Sequence, residues 1–265
     1  MILRRIANAL RNQDWGTVAM EIAIVVVGIF LGLQVDGWNQ SRIDRQTERM
    51  YLSRIHDSLA DDVASIEQSI RTAASRRAMG ELLIAALDDE DLAMKDPNAF
   101  LIAIEQAGYT LSPSIDDYAF EELKDSGNIA IIGNIAIRES ITSYYRMIER
   151  YGQWGYIREA MQTKYMNTKL GVLTADQYRK VYSCFGDGKD LGFTETEAME
   201  ALERMHARPA FIEQIPQASN NKMAIDTYTL WRDVAIELRS SIAQEIGLPV
   251  EQLPANGQIR TPRDR

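Results

Sequence analysis

Cysteine and histidine are nearly missing from this sequence. Cys184 is the only cysteine in 265 residues, so no disulfide can form within the chain, and His56 and His206 are the only histidines. A lone thiol fits a reducing cytosol, and equally a helical periplasmic domain that needs no staples. So few such side chains leave little material for nucleophilic or metal catalysis. Proline is absent before Pro97, and glycine between Gly37 and Gly80, so nothing in that stretch interrupts a helix. No glycine-rich phosphate loop with a lysine occurs, and no run alternates apolar and polar residues as a strand does. Positive charge is also short, 29 Lys and Arg against 38 Asp and Glu, for a net −9. Residues 1–40 balance three arginines against three acids, so the whole deficit falls on the rest. A surface this acidic repels phosphate backbones, and nucleic acid is excluded as an expected partner.

What the sequence does have is one long apolar run. Val18 to Val35 reads VAMEIAIVVVGIFLGLQV, apolar or small except for Glu21 and Gln34. Eighteen residues of helix reach about 27 Å, close to the hydrocarbon thickness of a bilayer. Trp15 and Trp38 bracket the run where interfacial aromatics belong. A cleaved signal peptide would need a small-x-small site after the run, and QVDGWN supplies none. We therefore expect a transmembrane helix over residues 15–38. Before it, Ile2, Leu3, Ile6 and Leu10 share one face and Arg4, Arg5, Asn8 and Arg11 the other, so residues 1–14 are expected to lie as an amphipathic helix in the interface plane.

Glu21, Val25, Gly28, Gly32 and Val35 recur at spacings of four and three, and Glu21, Gly28 and Gly32 fall within about 40° of one another on a helix. Small residues four apart let a second helix approach closely in lipid. A carboxylate among acyl chains costs several kcal/mol unless neutralised, paired or drawn to the interface. This face is expected to self-associate or meet a partner helix, with Glu21 as its polar contact; the plainer alternative is Glu21 snorkelling to the headgroups. Positive charge is tied across the two flanks. A short tail before a long domain behaves as an uncleaved signal anchor, so the domain is expected outside, in the periplasm, if the membrane is a bacterial inner one.

Beyond the span, Met50, Ile55, Leu59, Val63, Ile66, Ile70 and Ala73 recur at helical spacing. The membrane helix is expected to continue past a soft point at Gly37 as a stalk to about Leu87. Asp96-Pro97 and Ser112-Pro113 each read as a helix start, the second helix closing at Ser126-Gly127. Asn134 caps a long helix to about Leu170, bent near Gly152 and Gly155. Thr174 and Thr194 open further helices, Pro209 and Pro216 punctuate, and a last helix runs from Ser219 to Ile246. The fold class is all-α: a transmembrane helix, a stalk and a single helical bundle over residues 39–247, then a disordered tail over 248–265.

Two stretches resemble a widespread bacterial family of uncharacterised single-span proteins. EIAIVVVGIFLGLQVDGWNQ (Glu21 to Gln40) is similar to its anchor, and YAFEELKDSGNIAIIGN (Tyr118 to Asn134), followed by Arg138 and Tyr144-Tyr145, is similar to a segment of its soluble domain. The resemblance covers the first half of the chain to about Tyr165. It implies a helical, membrane-anchored protein and carries over no catalytic residue.

Candidate chemistry is thin. Glu203-x-x-His206 is half of a di-iron pattern, but His56 has Ser53 where the second glutamate belongs. The Gly186–Gly192 loop lacks the ligand spacing and terminal glutamate of a calcium site. Asp116, Asp117, Glu121 and Glu122 read as the solvated face of one short helix. Tyr144, Tyr145, Tyr151, Trp154, Tyr156, Tyr165, Tyr228 and Trp231 read as core. Ser126, Gly127 and Asn128 read as a helix cap and, through the resemblance, as a candidate partner contact. No cofactor or metal is expected. The expected function is a non-enzymatic, oligomeric membrane scaffold or sensor with the bilayer, further copies and a protein as partners. Alternatives are a pore or ion-coupled subunit ringed by Glu21 and, third, an enzyme.

Overall fold

The computed structural model describes residues 15–152, 155–182 and 190–249, and of residues 15–19 and 21 only the backbone. The expected interfacial segment (1–14), the side chains of Trp15 and Glu21, Trp154, Cys184, the loop through Asp187 and the tail from Val250 lie outside the described residues. Among the described residues all regular structure is helical. The helices are α1 (Trp15–Asp88), α2 (Asp91–Lys95), α3 (Pro97–Gln106), α4 (Tyr118–Asp125), α5 (Ile135–Gly152), α6 (Gly155–Thr168), α7 (Ala175–Tyr182), α8 (Glu195–His206), α9 (Pro209–Ser219) and α10 (Lys222–Ile246), with a short 3₁₀ turn at Ile129–Ile131.

α1 runs 74 residues without a break. The soft point expected at Gly37 does not interrupt it: Ser41 Oγ donates to the Gly37 carbonyl at 2.8 Å, one turn back, inside an intact helix. The apolar helix thus leads into a helical domain. The chain divides into two compact units at Tyr51 and Leu52. In the first unit the apolar side chains from Ile22 to Trp38 are exposed, Ile24, Phe30 and Leu33 by 60% or more. This helix, near the N-terminus, is long and apolar enough to cross a membrane.

In the second unit the expected stripe on α1 becomes core: Ile55, Leu59, Val63, Ile66 and Ala73 are buried, while Met50, before the division, is exposed. The main core gathers Leu83, Phe100, Ile104, Tyr165, Leu202 and Phe211 from α1, α3, α6, α8 and α9, each such side chain contributing about 1.5–3 kcal/mol by burial. A smaller cluster joins Ile66 to Tyr228 and Trp231 of α10. The expected core tyrosines Tyr144, Tyr145, Tyr165 and Tyr228 and Trp231 are buried; Tyr151 and Tyr156 are exposed.

Local signals explain several helix ends. Asp96 accepts from the Ala99 N–H and Pro97 opens α3. Asn134 Oδ1 accepts from the N–H groups of Ala136 and Ile137 at the start of α5. Thr194 and Glu197 form a reciprocal capping box on α8. α3 ends at Gln106, and Gly108 follows because the ring of Tyr165 lies against it: a Cβ there would come within 2.2 Å of Cγ.

Three expectations are corrected. Ser112-Pro113 does not open a helix; the chain stays irregular until Tyr118, since the N–H groups of Ser114 and Asp116 are taken by side chains of α1. Pro216 sits inside α9 rather than ending it. α10 begins at Lys222, because Ser219 still belongs to α9 and donates to the Ile215 carbonyl at 2.7 Å.

Candidate functional site

Arg54, Ser58, Asp62 and Ser65 recur on α1 at spacings of four, four and three, one rail along the helix. Together they hold the segment before α4. Ser65 Oγ accepts the Ser114 N–H at 2.8 Å, Asp62 Oδ1 accepts the Asp116 N–H at 2.8 Å, and Ser58 Oγ donates to Asp116 Oδ2 at 2.8 Å. Arg54 pairs with Glu122 at 2.8 Å. These bonds satisfy backbone donors that a helix would otherwise have to satisfy, so residues 112–117 follow α1 instead of coiling. Asp116 and Asp117 accordingly precede α4 rather than occupying its first turn.

Asp62 is 1% exposed. Its second oxygen, Oδ2, accepts the phenol of Tyr144 at 2.8 Å, and Tyr145 donates to the Asp116 carbonyl at 3.3 Å. Phe120 stacks on Tyr145 with centroids 4.6 Å apart, and Tyr144 meets Tyr145 edge-on at 5.0 Å. Burial pushes Asp62 up from the usual carboxylate range to about 6; the charges of Asp116 and Asp61 add to this, and the two hydrogen bonds work against it. Burial, then the Asp62 charge, raises the phenol of Tyr144. A groove of about 420 Å³ lies between α4 and α5, over Phe120 and Tyr145 and beside Asp117, Glu121, Lys124 and Arg146.

A second buried cluster lies elsewhere in the domain. Lys169 pairs with Glu105 at 2.6 Å, with side chains 7% and 2% exposed. Its ammonium also donates to the Glu105 carbonyl at 2.9 Å and to Tyr109 Oη at 3.1 Å, and Tyr109 donates to Glu105 Oε1 at 3.0 Å. Burial lowers the Lys169 ammonium, and Glu105 opposes that change. The arrangement satisfies every donor of the ammonium, which is what a buried charge requires.

The sequence-derived candidates are placed as follows. Val25, Val35 and Trp38 are exposed by 60%, 64% and 67%. Gly28 and Gly32 have no heavy atom within 4 Å of where a Cβ would stand. Ser126, Gly127 and Asn128 close α4 as a Schellman cap. Gly127 N–H donates to Lys124 O at 3.0 Å and Asn128 N–H to Leu123 O at 3.1 Å, with Gly127 at φ +70°. Asn128 is exposed. Glu203 and His206 are solvated, and among the described residues no group of three His, Cys, Asp or Glu is placed to hold a metal ion.

Sequence reasoning missed the Asp62 cluster and the Glu105–Lys169 pair. A signal for the first was present: Asp62 falls in the middle of the apolar stripe of Ile55, Leu59 and Ile66, where a carboxylate demands an explanation. Nothing local connects Glu105 to Lys169, 64 residues later.

Neither a curated protein nor a solved structure matches the chain. A family model matches residues 21–182, more than half of the sequence, a span that takes in the apolar run of α1, the Asp62 cluster and the Lys169 pair. On that match the chain belongs to a family of unknown function (DUF6090).

Proposed function

We propose that this protein is a membrane-anchored, oligomeric helical scaffold or sensor, held by the first part of α1 in a bacterial inner membrane with its helical domain on the periplasmic side. The observation that carries the reading is the bare apolar surface of α1: from Ile22 to Trp38 its side chains meet no protein, a surface that water tolerates poorly and lipid favours. Gly28 and Gly32 leave a flat strip on that surface, which suits a second helix. The domain it carries has a buried core of its own. Asn128, exposed at the end of α4, is the polar side chain through which the cap would touch a protein partner.

The test is the mass of the full chain in detergent or nanodiscs. Oligomers that Gly28→Ile with Gly32→Ile converts to monomer support the reading. A wild-type chain that is monomeric in both media refutes the oligomeric scaffold. A chain that stays soluble without detergent refutes the anchor.

A further inference from the structure

α6 is fourteen residues long, and Tyr165 alone within it is buried. The side facing its own domain carries Arg158, Gln162 and Tyr165. These donate to Ser112 Oγ at 2.9 Å, the Thr110 carbonyl at 3.0 Å and the Ile104 carbonyl at 2.9 Å. The opposite side is bare. Tyr156, Ala160, Thr163 and Asn167 are all exposed, as are Glu159 and Lys164 beside them.

Their spacings of four, three and four are those of the a and d positions of a two-stranded coiled coil, with Tyr156 and Thr163 at d and Ala160 and Asn167 at a. The side chains at 160 and 163 are small enough for a second helix to close in, and an asparagine at a fixes register and favours two strands. Ile157 and Met166, 37% and 44% exposed, flank the stripe at e and g and widen its apolar part. Glu159 stands at g and Lys164 at the next e. Neither forms an ion pair with another described residue.

In a parallel pair, g of one helix faces the e five residues later on the other, which sets Glu159 of each copy against Lys164 of its mate. An antiparallel pair would put Glu159 beside Met166 and Lys164 beside Ile157, leaving both charges without a mate. We propose that this face of α6 is a homodimer seam, pairing in parallel with α6 of a second copy through Tyr156, Ala160, Thr163 and Asn167 and locked by reciprocal Glu159–Lys164 pairs. A two-heptad seam is too short to hold two free chains firmly; anchors sharing one membrane would raise the effective concentration that it needs. The seam uses residues distinct from the glycine strip on α1 and fails or stands separately from it.

The experiment is oxidative cross-linking of the full chain in membranes, on a Cys184→Ser background. Ala160→Cys is expected to give a disulfide-linked dimer, and Leu230→Cys, exposed on α10, none. Adding Glu159→Lys to Ala160→Cys turns attraction into repulsion at both symmetric pairs and is expected to cut the dimer about tenfold, which is about 1.4 kcal/mol in all; adding Lys164→Glu as well restores it. Unchanged helical circular dichroism checks the fold, since all three positions are solvent-facing. No dimer at position 160, a dimer equally strong at position 230, or one indifferent to charge reversal overturns the seam. Running Gly28→Ile with Gly32→Ile alongside separates the two interfaces: loss of oligomers there with cross-linking at 160 retained removes only the anchor contact.

Discussion

Replacing Asp62 by asparagine tests the central cluster most directly. Folded, the carboxyl is held at about 6 against 3.8 for the free group. At about 1.36 kcal/mol for each tenfold change in proton affinity, the ionised form is therefore disfavoured in the folded chain by about 3 kcal/mol. Because the folded value is raised, the folded state binds the proton more tightly than the unfolded chain does. The stabilisation from protonating Asp62 is fully present below about pH 4, fades as the pH climbs, and is gone above about pH 6. Asparagine is uncharged throughout; its carbonyl keeps the Asp116 N–H and its amide donates to the Tyr144 oxygen. The Asp62→Asn chain is thus expected to gain on the wild type by up to about 3 kcal/mol between pH 4 and pH 7.5, roughly 6–12 °C in Tm for a domain of this size. Thermal unfolding followed by circular dichroism on both chains, at half-unit steps of pH, gives the difference curve, in which other carboxylates cancel. Parallel curves across that window would refute the claim that Asp62 holds its proton unusually tightly.

Lys169→Ala is expected to cost about 3–5 kcal/mol by leaving the Glu105 carboxylate buried without its partner, whereas Lys169→Met combined with Glu105→Leu restores most of the loss; thermal denaturation of the three chains distinguishes the two. Gly108→Ala drives a methyl into the Tyr165 ring and is expected to cost about 1–3 kcal/mol, with a changed near-ultraviolet tyrosine signal as the check. Gly127→Ala forces a side chain to φ +70° in the cap of α4, for a loss of about 1–2 kcal/mol in the same melt.

The helices were legible where one local cause sets them. The lack of proline, and of glycine between Gly37 and Gly80, left α1 unbroken, Asp96-Pro97 opened α3, Asn134 opened α5, and Thr194 with Glu197 opened α8. Legibility ends where distant parts of the chain decide. Ser112-Pro113 carries a good start signal, yet Ser65 and Asp62, some fifty residues earlier, take the amides that a helix would have used. Pro216 is tolerated inside α9. The Asp62 cluster is masked by the apolar periodicity around it, which gives the same helix whether or not a carboxylate interrupts the stripe. Glu105 and Lys169 were invisible for a plainer reason, since their pairing is a product of tertiary packing alone.

The grip of α1 on residues 114 to 116 has an experimental corollary. Those amides are held by side chains, a serine hydroxyl and a carboxylate, and by no repeating backbone ladder. Their exchange with deuterated solvent is therefore tied to the chemistry of two particular groups. Removing the acceptor itself, as Asp62→Ala does, should quicken exchange at Asp116 and spare Ser114, so that two amides two positions apart become an internal meter of one buried side chain.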